Sequence, residues 1–390
     1  MDKFHSLAII SPFFVTLFWL ITISISSYQK RNHFKIPLLL FLFDSLIGLL
    51  ISSSFYDGSY NLFRRIYVPA VFFSLSMFPL FYLYIFSMTS ERRLNSKDYF
   101  RHLLVPGINT LFALVFLYVF FNANERIVWV EEHLTRKIQA EGKFLAAFYM
   151  DKIFRMIFLA LAIVYYILTE KRIRRHRKAL NNYFSNIEGA DIQWFTIYRI
   201  VFLFTLIAAF LYFTADRWVN LEYRFLPAAS HFLLAIFFWV VGYYGQKQAL
   251  IFPLQLEDEP QPIENSKTIS EFQMEELRLK LEKAMDKEKL FTHSEITLPQ
   301  LSRHLGTNRT YLSKLFNTHY QSNFNVYING KRIEHAVTLL DDLSRDININ
   351  DLWSACGFNS ISSFYRAFNT IEGMSPLAYR KKKIEESRHS

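Results

Sequence analysis

Two stretches of the chain could do recognition chemistry by residue type and spacing: "TLPQLSRHLGTNRTYLSKLF" at 297–316 and "NINDLWSACGFNSISSFYRAF" at 348–368. Each has an apolar helical face, then a glycine, then an amide or hydroxyl residue, then a second apolar face. In the first, Leu298, Leu301 and Leu305 precede Gly306 and Asn308, and Leu312, Leu315 and Phe316 follow. In the second, Ile349, Leu352 and Cys356 precede Gly357 and Asn359 or Ser360, and Phe364 and Phe368 follow. Glycine suits the left-handed residue that ends a helix, and Asn or Ser suits the cap that starts the next. The pattern predicts two helix-turn-helix units, whose second helices can present donors to base edges in a DNA major groove.

The side chains left facing outward on those second helices are the base-contact candidates: Thr310, Ser313 and Lys314 in the first unit, and Ile361, Ser362, Tyr365 and Arg366 in the second. Lys314 or Arg366 could donate to guanine O6 and N7, and Ile361 could meet a thymine methyl. Arg309 and the run Arg380, Lys381, Lys382 and Lys383 suit phosphates, which position a protein on DNA without specifying sequence. Between the units, Phe324, Tyr327, Ile328, Ile333, Ala336, Val337 and Leu340 have helical spacing and predict a rigid connecting helix. Upstream, Met274, Leu277, Leu281, Ala284 and Met285 share one face of a helix. That face fits either the first helix of this domain or a short dimerising coiled coil.

This C-terminal segment resembles the DNA-binding domain of the AraC/XylS family of bacterial transcription regulators. The resemblance rests on Tyr311-Leu312-Ser313, Arg332-Ile333 with Ala336 and Leu339-Leu340, Gly357-Phe358, Ser360, Phe364, Arg366, Phe368, Gly373, Ser375-Pro376 and Tyr379-Arg380. It covers about 100 residues, a quarter of the chain. Four positions depart from the family pattern: Gln321 where Gly is usual, Gly330 inside the connecting helix, Trp353 where a small residue is common, and Asn369 where Lys is frequent. The resemblance implies specific double-stranded DNA binding, with a tilt toward activation of transcription.

The elements that must position this domain are of another kind. The chain has 390 residues, with 41 Phe, 22 Tyr and a net charge of +10. Apolar runs dominate residues 6 to about 250. A span needs about 20 mostly apolar residues to cross roughly 30 Å of hydrocarbon. Seven runs qualify as expectations: 6–28, 36–56, 67–90, 102–121, 153–169, 196–214 and 225–245. Basic residues concentrate in alternate connections, with six between 170 and 195 (Lys171, Arg172, Arg174, Arg175, Arg177 and Lys178). The positive-inside rule then places the N-terminus outside and the C-terminal region in the cytoplasm. The first run lacks the basic start and cleavage pattern of a signal peptide, so a retained span is expected. The 181–195 stretch, "NNYFSNIEGADIQWF", reads as an amphipathic helix at the inner face, with Trp194 and Phe195 at the interface.

The expected architecture is all-α: a seven-helix transmembrane bundle at 1–246, a cytoplasmic linker at 247–270 containing Pro253, Pro260 and Pro262, and an AraC-type domain at 271–390. Asp44, Arg199 and His231 lie inside spans, where polar side chains are costly, and are candidates for an intramembrane polar site. The single cysteine, Cys356, excludes an intramolecular disulfide and agrees with a reducing compartment. No phosphate loop, paired-His zinc motif or nucleophile elbow occurs, so no catalytic residue, metal or cofactor is expected and the chain is not read as an enzyme.

The reading is a multi-pass protein of the bacterial inner membrane acting as a one-component transcriptional regulator. Its expected partners are double-stranded DNA and the lipid bilayer. Further candidates are a second copy of the chain, RNA polymerase, and a small-molecule or envelope signal. The alternative is a membrane receptor or transporter whose C-terminal helices serve protein interaction.

Overall fold

The computed structural model describes residues 3–30, 35–56, 60–90, 92–129, 141–186, 195–214, 225–247, 270–344 and 348–389. The chain divides into two compact units. The first comprises Met1–Ile173 and Ile192–Leu254; the second comprises Arg174–Asp191 and Gln255–Ser390. The sequence boundary at 246 left 174–191 with the apolar region, whereas the folded chain groups it with the C-terminal helices.

The first unit holds α1 (Lys3–Lys30), α2 (Ile36–Tyr56), α3 (Tyr60–Met88), α4 (Ser96–Phe120), the short α5 (Ala123–Val128), most of α6 (Gly142–Tyr183), α7 (Phe195–Thr214) and α8 (Phe225–Lys247). Helix α1 packs on α8 and α2, α2 on α3, α3 on α4, and α7 on α8. One core gathers Trp19, Leu38, Phe41, Phe81, Tyr84 and Phe238. A second gathers Tyr67, Leu75, Leu117, Trp129, Met150 and Phe154. Large apolar side chains such as Phe14, Leu111, Phe112, Met156 and Leu203 face outward. A helix apolar on its outer face as well as its inner one matches hydrocarbon surroundings.

Six helices among the described residues are long and apolar enough to cross a membrane, not seven: those covering Ser6–Tyr28, Ile36–Ser53, Ile66–Met88, Ser96–Phe120, Gly142–Tyr183 and Ala228–Lys247. The seventh expected run lies in α7, whose described apolar stretch is the shorter Phe195–Phe204. Several boundaries also move. Helix α4 begins at Ser96, ahead of the apolar run, because Asn95 and Asp98 form a capping box there. Helix α6 extends far beyond 153–169 at both ends, since nothing in the flanking basic and polar sequence breaks a helix. The separate amphipathic helix expected at 181–195 is not formed at its start, because α6 runs through Tyr183 and ends in a bridge at Phe184. Trp194 and most of the 247–270 linker lie outside the described residues.

The second unit adds α9 (Glu271–Asp286), α10 (Leu298–His304), α11 (Arg309–Thr318), α12 (Phe324–Asp341), α13 (Ile349–Ala355), α14 (Ile361–Glu372) and α15 (Pro376–His389). The apolar face of α9 is buried in this unit's own core: Leu277, Leu281, Ala284 and Met285 pack with Leu301, Leu312 and Phe316. That burial makes α9 the first helix of the domain and leaves this face no seam for a coiled coil. Helix α12 serves two cores. Its Phe324, Tyr327 and Ile328 belong to the one beneath α10 and α11; its Ile333, Ala336 and Leu340 belong to the one beneath α13 and α14.

Candidate DNA-binding site

The first unit of the pattern is built by its caps. Thr297 accepts from the Gln300 backbone N–H at 3.4 Å, Gln300 answers Thr297 N–H at 2.9 Å, and Pro299 sits in the opening turn of α10. Helix α10 ends at Leu305, and Gly306 follows with φ of 65°, the left-handed turn residue. Asn308 Oδ1 then accepts from Tyr311 N at 2.8 Å and opens α11. A cap of this kind contributes about 1 kcal/mol. Leu298, Leu301, Leu312, Leu315 and Phe316 are buried, which fixes the opposite face of α11 outward. That face carries Thr310 and Lys314, both exposed, and Arg309 and Ser313, both half-exposed.

The second unit repeats the geometry with a different cap. Cys356 and Gly357 follow α13, and Gly357 has φ of 85°. Ser360, rather than Asn359, caps α14, accepting from Ser363 N at 3.1 Å. Phe364 and Phe368 are buried, and α14 closes at Gly373 with φ of 71°. Ile361, Ser362 and Arg366 are exposed; Tyr365 is half-buried, its ring edge-on to Phe364 at 5.9 Å. Burial pushes the Cys356 thiol up to about 12. Gln321, where glycine was expected to end a helix, takes the left-handed conformation itself, with φ of 46°.

The basic run lies on α15 and divides by environment. Tyr379 packs on Phe368 at 5.7 Å and donates to Asp341 Oδ1 at 3.1 Å. Arg380 turns inward and donates to the carbonyls of Leu340 and Asp342 at the end of α12. Lys383 lies 3.6 Å from Asp341. Lys381 and Lys382 are exposed, near Glu385 and Glu386 one turn on. Of the four, these two present their charge to solvent most fully.

The intramembrane candidates do not share one pocket. Ser76 Oγ donates to Asp44 Oδ1 at 2.6 Å, joining α3 to α2. His231 Nε2 lies 3.0 Å from Ser52 Oγ, joining α8 to α2. Arg199 pairs with Glu170 through two contacts of 3.1 and 2.7 Å, joining α7 to α6. Sequence reasoning passed over Glu170, although a carboxylate at the end of an apolar run facing an in-span arginine is a legible signal. No group of three metal-ligating side chains occurs among the described residues.

Sequence reading took one fully buried charge of the second unit only as part of a family pattern. Arg332 on α12 is fully buried. It donates to Phe291 O at 2.7 Å, His293 O at 3.0 Å, Asn329 Oδ1 at 3.2 Å and Ser185 Oγ at 3.2 Å. Burial draws its pKa down to about 10, so it stays charged at neutral pH.

A family model described as a helix-turn-helix domain matches residues 301–382, which span α10 to α15 and hold both capped turns. These residues are an AraC-type helix-turn-helix domain. The chain is 34% identical over 101 residues to an uncharacterized HTH-type transcriptional regulator of Staphylococcus aureus strain COL. That match covers 26% of this chain and 13% of the relative. It is 36% identical over 86 residues to the melibiose operon regulatory protein of Escherichia coli K12, covering 22% of this chain and 28% of that one. The chain thus spans under a third of the length of these relatives. Among solved structures, the C-terminal domain of AraT, a response regulator from Geobacillus stearothermophilus, is 25% identical. It covers 30% of this chain and 88% of that one at a TM-score of 0.25, which adds nothing to the fold argument.

Proposed function

We propose that the protein is a membrane-bound, one-component transcriptional regulator. Its α11 and α14 read double-stranded DNA at the inner face of a bacterial cell membrane, under control of a signal received by the membrane helices. One observation carries the reading. Two capped helix-turn-helix units each present an exposed polar face on their second helix, and one helix, α12, is built into both cores. A shared rigid helix fixes the spacing of two reading heads, as successive major-groove segments about 34 Å apart require. The six long apolar helices and the basic residues at 170–178 support tethering with the AraC-type domain in the cytoplasm.

In this reading Thr310, Ser313, Lys314, Ile361, Ser362, Tyr365 and Arg366 face base edges, while Arg309, Lys381 and Lys382 meet phosphates. Arg380 and Lys383 help hold α15 to the end of α12. The test is to map DNA crosslinked to the protein in its native cell, then measure binding to the recovered sites. Arg366→Ala should cost about 1–3 kcal/mol on the specific site and little on random DNA. Lys382→Ala should weaken both equally and flatten the salt dependence by about one charge. Equal loss on both DNAs for Arg366→Ala would remove it from base readout.

A further inference from the structure

Helix α6 belongs to both units. Near the end of its apolar part, Arg172 is tied to the end of α3. Its Nε donates to Thr89 Oγ1 at 2.9 Å, its Nη2 donates to Thr89 O at 2.8 Å, and the guanidinium lies 4.4 Å over the Phe86 ring. From Arg174 onward the same helix groups with the AraC-type domain. Tyr183 packs against the core beneath α10 and α11. Phe184 and Thr297 form an antiparallel bridge. Ser185 is buried, and both its N–H and its Oγ donate to Ile296 O, at 3.4 and 2.8 Å. Asn325 Nδ2 donates to Phe184 O at 3.1 Å and Ser185 O at 2.9 Å, and Arg332 Nη2 donates to Ser185 Oγ.

These partners are not arbitrary surface groups. Thr297 caps α10 and so begins the first reading unit; Asn325 and Arg332 stand on α12, which carries the second. The docked segment therefore holds the start of the first reading unit and the helix built into both cores. We infer that the surface formed by Ile296, Thr297, Asn325 and Arg332 is the docking site for residues 183–186, at and just beyond the end of the chain's own α6, and that this contact passes the state of the membrane helices to the DNA-reading heads. The inference rests on the proposed reading of 271–390 as the DNA-binding part, and it assigns the signal route to α6. Helix α6 runs unbroken through Tyr183 and leads directly into Ser185, so Arg172 and the docked segment are joined by one short stretch of chain. Control further requires that docking differ between the signalled and unsignalled states, which makes the interface itself the two-state element.

The docking is tested first by covalent trapping, independently of DNA. Paired residues of an antiparallel bridge have Cα atoms about 4.5–5.5 Å apart, within the span of a disulfide. Phe184→Cys with Thr297→Cys in the full chain, in native membranes oxidised with copper–phenanthroline, should give a disulfide within one chain. Neither single variant should do so. The natural Cys356 is buried with its thiol pushed up to about 12, so it competes poorly. No crosslink, or one joining two chains, overturns the docking.

The second arm reads transmission. Ser185→Ala with Asn325→Ala in the full chain, reconstituted in nanodiscs, should keep specific DNA affinity within about threefold, while shifting direct-target expression in cells about fivefold or more. Replacing residues 251–265 with Gly-Ser sequence of equal length should leave that expression within about twofold. Unchanged expression in the double variant overturns the inference. So does collapse of its DNA affinity, or a linker replacement that shifts expression as far. If the chain binds no specific DNA at all, the functional reading falls, and the crosslink alone decides the docking.

Discussion

Gly357 is held by two constraints at once. Its φ of 85° is a conformation that side chains strain to adopt, and an added Cβ would stand 2.6 Å from the Thr292 carbonyl oxygen and 2.7 Å from the carbon it belongs to. Gly306 occupies the equivalent turn at φ of 65°, but nothing lies within 4 Å of its missing Cβ. The two glycines look alike in sequence and differ in consequence. Gly306→Ala should cost only left-handed strain, about 1–2 kcal/mol. Gly357→Ala should cost at least about 3 kcal/mol, because backbone must move as well. Cys356 supplies the gauge. It is the chain's single cysteine, it is fully buried, and its raised pKa keeps the thiolate scarce at neutral pH, so maleimide reaches it only through local opening. In the nanodisc-reconstituted chain, Gly357→Ala should speed labelling about a hundredfold or more. The same acceleration from Gly306→Ala would show that the Thr292 contact contributes nothing.

At the scale of elements, what was legible in the sequence was local. Asn308 and the glycines that close α10 and α13 act within a few residues, and the faces of α10, α11, α12 and α14 repeat with the helical period; both kinds of signal lie along the chain. The unread features join distant positions. Ser185 with Ile296, Asn325 with Phe184, and Arg332 with Ser185 and Phe291 have no period and no fixed offset. Arg332 was read only as part of a family pattern, although it is the hub where α12, the turn at 291–294 and the end of α6 meet. A lysine keeps the charge but carries one ammonium, not a planar fork aimed at acceptors on several sides. Arg332→Lys should therefore leave the carbonyls of Phe291 and His293 short of donors, at about 1–3 kcal/mol each. Limited proteolysis of the full chain should show faster cleavage in 287–297, whereas unchanged cleavage would mean that water satisfies those carbonyls.

At the scale of the whole molecule, the grouping of Arg174–Asp191 with Gln255–Ser390 bears on how many helices cross the bilayer. Parts of one compact unit lie on one side of a membrane. The chain leaves that unit after α6 and returns to it after α8, so in the proposed reading α7 and α8 together cross an even number of times. Helix α8 is long and apolar enough to cross, and if it crosses, the proposed reading expects α7 to cross as well. Helix α7 has 20 residues, about 30 Å of helix, enough for the hydrocarbon thickness. In the proposed reading, a crossing α7 with a basic 170–178 segment inside would put the N-terminus outside and the AraC-type domain in the cytoplasm. If α7 stayed on one side, α8 would carry residues 248–390 out of the cell, away from DNA. Membrane-impermeant maleimide on intact spheroplasts should therefore label Asn124→Cys and Asn220→Cys and spare Lys382→Cys until the membrane is opened. Protection of Asn220→Cys together with labelling of Lys382→Cys would reverse the last two crossings and leave the reading heads without a cytoplasmic target.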